Sequence, residues 1–346
     1  MRKLIFNKLK KPLIIAEMSA NHCGSLRNAL QIIDSAKKCK VDAIKIQTYI
    51  PSEITLNSNK KDFIIKAKKS LWSKKKLYDI YSEGCLKKEW HKKIFSYAKR
   101  KKIICFSTPF DEKSVDFLEN LNCPMYKIAS FEINHHPLIE KICKTKKPII
   151  FSTGMATKQE IKTVLKILKK NKIKNFAMLK CVSHYPAEDS DYNLKTIKEM
   201  KKLFKCTVGL SDHTLGIGVA IASIAHGGMI VEKHFKLDTN KTGLDTDFSI
   251  SENLMAELVK GCNSAYQSIG DIKFGPTKNE IPYLKFRRSI YACLDIKKGE
   301  ILTKNNIKVV RPAGGMHPKF FNTILGKKAK QNIKFADKIT RNKIKY

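Results

Sequence analysis

Short apolar runs rich in β-branched residues alternate, over most of the chain, with polar stretches whose apolar positions recur at helical spacing. The runs predict eight strands, and the stretches predict helices between most of them. Strands are predicted at 13–19, 42–48, 103–107, 125–130, 148–152, 176–181, 207–210 and 229–234, with helices at 26–38, 87–101, 112–121, 158–170, 194–203 and 217–226. This alternation favours a closed (β/α)8 TIM barrel over an open doubly wound sheet. Because no Gly-x-Gly-x-x-Gly follows the first strand, a dinucleotide-binding fold is disfavoured.

Two regions depart from the alternating pattern. The segment 48–82 is too long for an ordinary connection after the second strand and predicts an insertion over the barrel mouth. A last helix, predicted at 252–269, is followed by short strand-like runs broken by Gly and Pro, which predict a small β-rich domain. We therefore expect a barrel domain at 1–273, a linker at 274–283 and a C-terminal domain at 284–346.

The formal net charge of +37 comes from 68 Lys and Arg residues against 31 acidic residues. The lysines are spread along almost every predicted helix, and charge dispersed in this way gives no register on a nucleic acid. A solvated surface that attracts an anionic substrate is therefore favoured, with a nucleic-acid-binding protein as the alternative.

The ten cysteines form no C-x-x-C pair and no metal-finger spacing, so free thiols in a reducing compartment are expected. No apolar run approaches the ~18 residues of a membrane span, and the N-terminal residues lack the apolar core of a signal peptide. These features predict a cytoplasmic protein that has no membrane partner.

Polar residues end or follow nearly every predicted strand. In a parallel barrel the carboxyl ends of the strands share one face, and active sites lie on that face. The residues in these positions are Glu17, Asn21, His22, Lys45, Gln47, Thr48, Ser107, Thr108, Lys127, Ser130, Glu132, Ser152, Ser183, Tyr185, Ser211, His213, Glu232 and His234. We expect their side chains to gather at the barrel mouth.

Two of these residues are lysines inside apolar strands, where a charge is costly without a partner. Lys45 or Lys127 alone is explained equally well by a structural ion pair. Together with neighbouring Ser and Thr hydroxyls, they supply cations and short donors suited to a phosphate and a carboxylate. A barrel aldolase that forms a Schiff base on Lys127 is an alternative.

His213 and His234 end neighbouring predicted strands. Neutral imidazoles there could hold a divalent cation, with water or substrate oxygens completing the coordination, and a hydrogen-bonded structural role is the alternative. Glu232 shares a strand face with His234, so it could be a further ligand, a residue that orients a ligand, or an ordinary ion-pair acid. Asp245 lies near a glycine in a loop, and alone it indicates only a turn.

Seven motifs resemble those of the sialic-acid synthase family and occur in the same order. They are IAEMSANH (15–22), IKIQT (44–48), FSTPF (106–110), YKIAS (126–130), STGM (152–155), GLSDHT (209–214) and EKHF (232–235). The tail segment 287–312 resembles that family's antifreeze-like (SAF) domain. Residues 18–22, together with the aromatic residues of the insertion, are similar to the branch of the family that makes pseudaminic acid.

The resemblance implies a metal-dependent transferase that condenses phosphoenolpyruvate with an amino sugar and uses Mn²⁺ or Mg²⁺. The implied positions are Lys45, Lys127, Ser130, Ser152, Ser183 and Ser211 for phosphoenolpyruvate; His213 and His234 for the metal; Glu17, Tyr185 and Asp245 for catalysis on the sugar; and Gln47, Asn21 and Arg311 for further substrate contacts. Glu17 is the first candidate, and Asp245 the second, for the group that takes the proton of water. Ser183 stands where many members have asparagine, and Ala313 stands where glycine is usual.

The resemblance also implies a domain-swapped homodimer, in which Arg311 of one subunit reaches the sugar's N-acyl group in the other. The expected sugar is 2,4-diacetamido-2,4,6-trideoxy-altropyranose, which gives pseudaminic acid, and neuraminic or legionaminic acid are the alternative products. Aromatic walls formed by Trp72, Tyr78 and Tyr81 would suit the 6-methyl group of this sugar. For Trp90, packing of the insertion against the barrel is the favoured role.

Overall fold

The computed structural model describes residues 4–66, 71–240 and 242–346. Residues 67–70 of the predicted insertion therefore lie outside the described part. The chain forms two compact units, Met1–Gly270 and Asp271–Tyr346. Within the described ranges, no helix combines the length and the apolar character that crossing a membrane requires.

The first unit is a closed barrel of eight parallel strands in sequential order, so the predicted barrel is confirmed. The strands are β1 (Leu13–Glu17), β2 (Ala43–Thr48), β3 (Ile104–Pro109), β4 (Tyr126–Ile128), β5 (Ile149–Ser152), β6 (Phe176–Cys181), β7 (Thr207–Asp212) and β8 (Ile230–His234). β4 ends earlier than predicted because the chain turns at Ser130 into a 3-10 helix, Phe131–Asn134. The register pairs Glu17 with Lys45 on one side and with His234 on the other.

Amphipathic helices surround the barrel. They are α1 (Leu26–Lys38), α2 (Pro51–Ile54), α3 (Leu77–Gly84), α4 (Lys88–Arg100), α5 (Glu112–Asn120), α6 (His136–Lys144), α7 (Lys158–Lys170), α8 (Lys195–Phe204), α9 (Gly218–Ala225) and α10 (Glu252–Ile269). Their apolar faces are buried, as Ile32, Ile33 and Ala36 of α1 show, which explains why the helical periodicity was visible in so basic a sequence. Helix α6 was not predicted from the sequence.

Side-chain caps fix where several helices begin. Thr157 forms a capping box with Glu160 at the start of α7, and Asp111 accepts a hydrogen bond from the Ser114 N–H at the start of α5. Such caps satisfy backbone donors that the first turn leaves unpaired. They hold the loops between strands and helices, and therefore the strand ends, in defined positions.

The second unit is β-rich and has its own apolar core. A two-stranded antiparallel sheet joins β9 (Ser289–Ala292) to β10 (Ile307–Val310), and a second joins β11 (Lys328–Ala329) to β12 (Ile344–Lys345). A short helix, α11 (Phe321–Ile324), lies between the two sheets in sequence. The core side chains include Ile290, Leu302, Ile307, Ile324, Ile333 and Ile339.

Candidate active site

Two buried lysines and two buried carboxylates meet at the carboxyl end of the barrel. The Lys45 Nζ lies 2.6 Å from Glu17 Oε2 and 3.7 Å from Glu232 Oε1. The Lys127 Nζ lies 3.6 Å from the same Glu232 oxygen. Glu232 therefore lies between the two lysines, which is the geometry of an ion-pair acid.

Hydroxyl groups complete the surroundings of the lysines. The Lys127 Nζ donates to Ser152 Oγ over 2.7 Å, and the Lys45 Nζ donates to Thr108 Oγ1 over 3.1 Å. Ser211 points into the same cluster, where its hydroxyl donates to a Glu232 oxygen over 3.3 Å. Cations and short donors thus converge on one buried volume, which suits a compact anion.

Ser130 and Ser183 extend this cluster across the mouth. Their hydroxyl oxygens lie 2.7 Å apart. Gly154 makes the approach possible, because a Cβ atom there would lie 2.4 Å from Ser130 Cβ and 2.7 Å from Ser183 Oγ. Its φ of +47° also favours glycine. Ser183, the position that departs from the usual asparagine, therefore contacts a hydroxyl of the cluster directly.

The charges of the cluster are strongly coupled. Burial raises the pKa of Glu17, and the Lys45 ammonium beside it opposes that change. Burial disfavours the charged form of Lys45, but Glu17 and Glu232 outweigh it and raise the pKa of that lysine. Burial lowers the pKa of Lys127, with Glu232 acting in the opposite direction. Glu17 is thus the carboxylate of the cluster that takes up a proton most readily.

Gln47 and Asn21 lie near Glu17 but have different surroundings. The Gln47 amide donates to Glu17 Oε1 over 3.0 Å and to Ser19 Oγ over 2.8 Å, so it orients the carboxylate. Asn21 is fully buried, and its amide donates to Ser249 Oγ over 2.8 Å. Asn21 therefore links the segment after β1 to the loop after β8 through this hydrogen bond.

The two histidines lie side by side next to this cluster. The ring centroids of His213 and His234 are 5.3 Å apart. Tyr185 lies over His213 with its ring centroid at 4.3 Å, and Phe248 packs on His234 at 4.9 Å. Burial keeps the pKa of Tyr185 well above its ordinary value, so the phenol remains a hydrogen-bond donor.

The chemistry of the two imidazoles fits a divalent cation. His213 Nδ1 donates to the Val182 carbonyl over 2.6 Å, so Nε2 is the atom that a metal ion would take. Burial disfavours the charged form of this ring, but the neighbouring Cys181 outweighs burial and raises the pKa of His213. Burial, together with His213 and Lys45, lowers the pKa of His234 well below its ordinary value, so this ring stays neutral. The buried Nδ1 of His234 has no hydrogen-bond partner within the described ranges.

Among the described residues, the two rings are not joined by a third protein ligand. In the part of the chain that the structure describes, no group of three or more His, Cys, Asp or Glu side chains could hold a metal ion. A cation on the two histidines would therefore need oxygen ligands from water or substrate, as the sequence prediction assumed.

Asp245, which the sequence alone indicated only as a turn residue, lies beside the histidines. One of its carboxylate oxygens is 3.9 Å from His234 Nδ1 and accepts a hydrogen bond from the Ala20 N–H over 3.1 Å. Burial raises the pKa of this carboxyl, and hydrogen bonds from Ser19 and Ala20 partly offset the effect. Asp245 is thus a second carboxylate near His234, besides Glu17, which pairs with His234 in the barrel register.

Three further residues lie at the mouth: Glu132 was predicted there as a strand-end residue and Trp72 as part of an aromatic wall, whereas Phe248 was not predicted. Glu132 has a buried oxygen without a hydrogen-bond partner among the described residues, and burial raises its pKa to about 7. Phe248 packs on His234, and Trp72 of the insertion lies 5.9 Å from Tyr185 between ring centroids. Phe248 gave no signal in the sequence, because a single aromatic residue in a loop is more often a packing residue.

Comparison with known proteins places this geometry in a family. A model of the NeuB family matches residues 32–274, and a model of the SAF domain matches residues 287–344. The chain belongs to the NeuB family. The NeuB-family barrel carries every site residue named above, and the SAF domain carries Arg311, which is exposed.

Relatives of this NeuB-family chain span nearly its whole length. It is 46% identical over 332 residues to the pseudaminic acid synthase of Campylobacter jejuni, which covers 96% of each chain. It is 40% identical over 329 residues to the pseudaminic acid synthase of Helicobacter pylori, covering 94% of this chain and 96% of that protein. The crystal structure of N-acetylneuraminic acid synthetase from Leptospira borgpetersenii matches with a TM-score of 0.70 at 30% identity, over 80% of this chain and 90% of that chain.

Proposed function

We propose that this protein is a pseudaminic acid synthase, a transferase that condenses phosphoenolpyruvate with 2,4-diacetamido-2,4,6-trideoxy-altropyranose. The observation that carries the proposal is the convergence of Lys45, Lys127 and a ring of hydroxyls beside the paired His213 and His234. One half of this site suits a substrate with phosphate and carboxylate groups, and the other half suits a carbonyl electrophile. Identities of 40% and 46% to pseudaminic acid synthases support the choice of sugar.

Phosphoenolpyruvate would bind in the lysine half of the site. Lys45 and Lys127 supply positive charge, and short hydroxyl donors fix the orientation of the anion. The hydroxyls are those of Ser130, Ser152, Ser183 and Ser211. Because Glu232 contacts both ammonium groups, it would hold them in place while the bound anion neutralises part of their charge.

The sugar would bind in its open form in the histidine half. His213 and His234 would hold a Mn²⁺ or Mg²⁺ ion, which when bound supplies Lewis-acid polarisation of the sugar's aldehyde oxygen. Tyr185 keeps its phenolic proton and would donate to a sugar oxygen. Asp245 would accept from a sugar hydroxyl, because its carboxylate lies beside His234.

The reaction forms one carbon–carbon bond and one carbon–oxygen bond, the latter to water, and it breaks the carbon–oxygen bond to phosphate. C3 of phosphoenolpyruvate attacks the aldehyde carbon, the aldehyde oxygen takes up a proton to become a hydroxyl, and C2 becomes cationic. A water molecule adds to C2 and gives up one proton, and the tetrahedral product then loses phosphate by C–O cleavage. Glu17 would accept the water proton, because burial raises its pKa and makes it the more basic of the two carboxylates in the cluster.

We further propose a domain-swapped homodimer in which the SAF domain of each subunit serves the other barrel. Large apolar side chains are exposed directly after three barrel strands, at Phe131, Met155 and Leu215. Such side chains around a polar mouth are typical of a surface that another chain covers. Arg311 would enter from that chain and contact the sugar's N-acyl group.

Phosphate release from phosphoenolpyruvate tests the proposal. It should require 2,4-diacetamido-2,4,6-trideoxy-altropyranose, should stop after exhaustive chelation, and should return with Mn²⁺ or Mg²⁺. Replacement of His213 or His234 with Ala should abolish it while the circular dichroism spectrum stays unchanged. A preference for N-acetylmannosamine or for the legionaminic acid precursor would change the assigned sugar. Activity after full chelation, with borohydride trapping on Lys127, would instead indicate a Schiff-base aldolase.

A further inference from the structure

A cavity opens at the rim of the barrel, beside the insertion. It measures about 550 Å³ and is formed by the loop after β1, the insertion and the loop after β8. We call it the rim pocket and define it by Cys23, Trp72, Glu83, Thr242, Leu244 and Asp247, all of which line it.

Trp72 connects the rim pocket with the histidines. Its ring centroid lies 5.9 Å from that of Tyr185, which in turn lies 4.3 Å from that of His213. The Trp72 indole N–H also donates to the Leu244 carbonyl over 3.2 Å, which ties the insertion to the loop after β8. The Tyr185 ring therefore lies between Trp72 of the rim pocket and His213, beside which the aldehyde is proposed to bind.

The lining of the rim pocket combines apolar and polar surfaces. The Trp72 ring and the Leu244 side chain offer apolar contact, and the Thr242 hydroxyl and the Asp247 carboxylate offer hydrogen bonds. Two acids, Glu83 and Asp247, are present with only Lys75 as a basic side chain among the described lining residues. An anionic group such as a sugar phosphate is disfavoured there, whereas a neutral amide with a methyl group satisfies both surfaces.

We infer that the rim pocket receives the acylamino substituent of the sugar that lies farther from the aldehyde. This inference rests on the proposed function and assigns a position to its second acetamido group. The amide N–H faces an acceptor such as Asp247, and the acyl methyl group packs on Trp72. A sugar without this substituent loses both the contact with Trp72 and the hydrogen bond to Asp247, so it should bind less well.

The size of the residue at position 23 tests the inference. Cys23 already has a positive φ of 48°, so another L residue introduces no new backbone conformation. Cys23→Ala enlarges the pocket and Cys23→Phe fills it. The specificity constant for a 4-propionamido analogue, divided by that for the 4-acetamido sugar, should rise in Cys23→Ala and fall in Cys23→Phe, by up to about tenfold for one methylene group. Ratios that stay equal in both variants would overturn the inference.

Thiol labelling gives a second test that needs no variant to fold. Cys23 is the exposed cysteine among those the structure describes. A maleimide should label it in the wild-type protein, and Cys23→Ala should lose that label. Saturating diacetamido sugar should slow the labelling, whereas phosphoenolpyruvate alone should not. Unprotected labelling in an enzyme that turns over this sugar would refute the rim pocket alone, and a lack of turnover would refute the proposed function.

Discussion

Replacing Lys233 with methionine would remove one half of an ion pair that has no contact with solvent. The Lys233 Nζ lies 2.7 Å from Asp212 Oδ2, and both side chains are 0% exposed. The same ammonium donates to the Thr214 carbonyl over 2.5 Å and to its hydroxyl over 3.2 Å. All three protons are thus used, and the substitution would leave a buried carboxylate without its partner.

The expected loss is large because the carboxylate cannot reach water. Removing one partner of a buried pair costs about 3–5 kcal/mol of the free energy of unfolding. A matched control is Lys11→Met, since the Lys11 Nζ lies 2.6 Å from Asp42 but its side chain is 58% exposed. That exposed pair should contribute about 1 kcal/mol or less to the free energy of unfolding. Although the two ion pairs are equally close, the losses of stability on replacing their lysines should therefore differ several-fold.

Urea unfolding followed by tryptophan fluorescence measures this difference. The chain has two tryptophans, Trp72 and Trp90, and both lie in the barrel unit. The double variant Asp212→Asn with Lys233→Met should recover much of the loss, because the amide oxygen can still accept from the Thr214 N–H. Equal losses in Lys233→Met and Lys11→Met would refute the argument from burial.

Three further predictions concern the site and the fold. Gly154→Ala should raise the KM for phosphoenolpyruvate about tenfold, roughly 1.4 kcal/mol of lost binding free energy. The control is Gly24→Ala, since Gly24 also has a positive φ but open space around its Cβ position, and this variant should leave that KM unchanged within error. Equal effects of the two variants would contradict the expected clash of the added methyl group with Ser130. Burial lowers the pKa of His91 to about 4. The unfolded chain therefore binds one proton more than the folded chain as the pH falls from about 6.5 towards 4. Urea titrations should show that the free energy of unfolding falls by about 2 kcal/mol more in the wild type than in His91→Gln between pH 7 and pH 5. Mixing an Arg311→Ala chain with a His234→Ala chain should restore phosphate release if the arginine acts across subunits, and no recovery in a demonstrated heterodimer would count against it.

The barrel could be predicted because its signals are local. Each strand is a short apolar run, and several amphipathic helices begin at a capping residue such as Thr157 or Ser251. The predicted ends of β4 and β7 were wrong, β4 ending two residues earlier and β7 two residues later. Polar side chains such as Ser130 and Asp212 belong to a strand or to the following turn according to how the chain turns. Helix α6 was not predicted because it begins at His136-Pro137, and a proline at this point of the sequence indicates a turn or loop.

The site could be predicted only as far as strand ends determine it. Lys45, Lys127, His213 and His234 stand at strand ends, so the topology alone brings them together. The role of Glu232 depends on distances of 3.6 and 3.7 Å to two lysines, and sequence spacing cannot give such distances. Lys233 is also a lysine within a strand, but the alternation of the strand directs its side chain away from the mouth and towards Asp212.

The lysine cluster described above is electroneutral by itself. Lys45 and Lys127 contribute two positive charges, and Glu17 and Glu232 contribute two negative charges. An arriving polyanion therefore brings uncompensated charge into a buried volume, unless a proton or a cation accompanies it. Entry of phosphoenolpyruvate should consequently be linked to proton uptake or cation occupancy. Its binding enthalpy, measured by calorimetry at one pH in buffers of different ionisation enthalpy, should vary from buffer to buffer if a proton accompanies it and should stay constant if only a metal cation does.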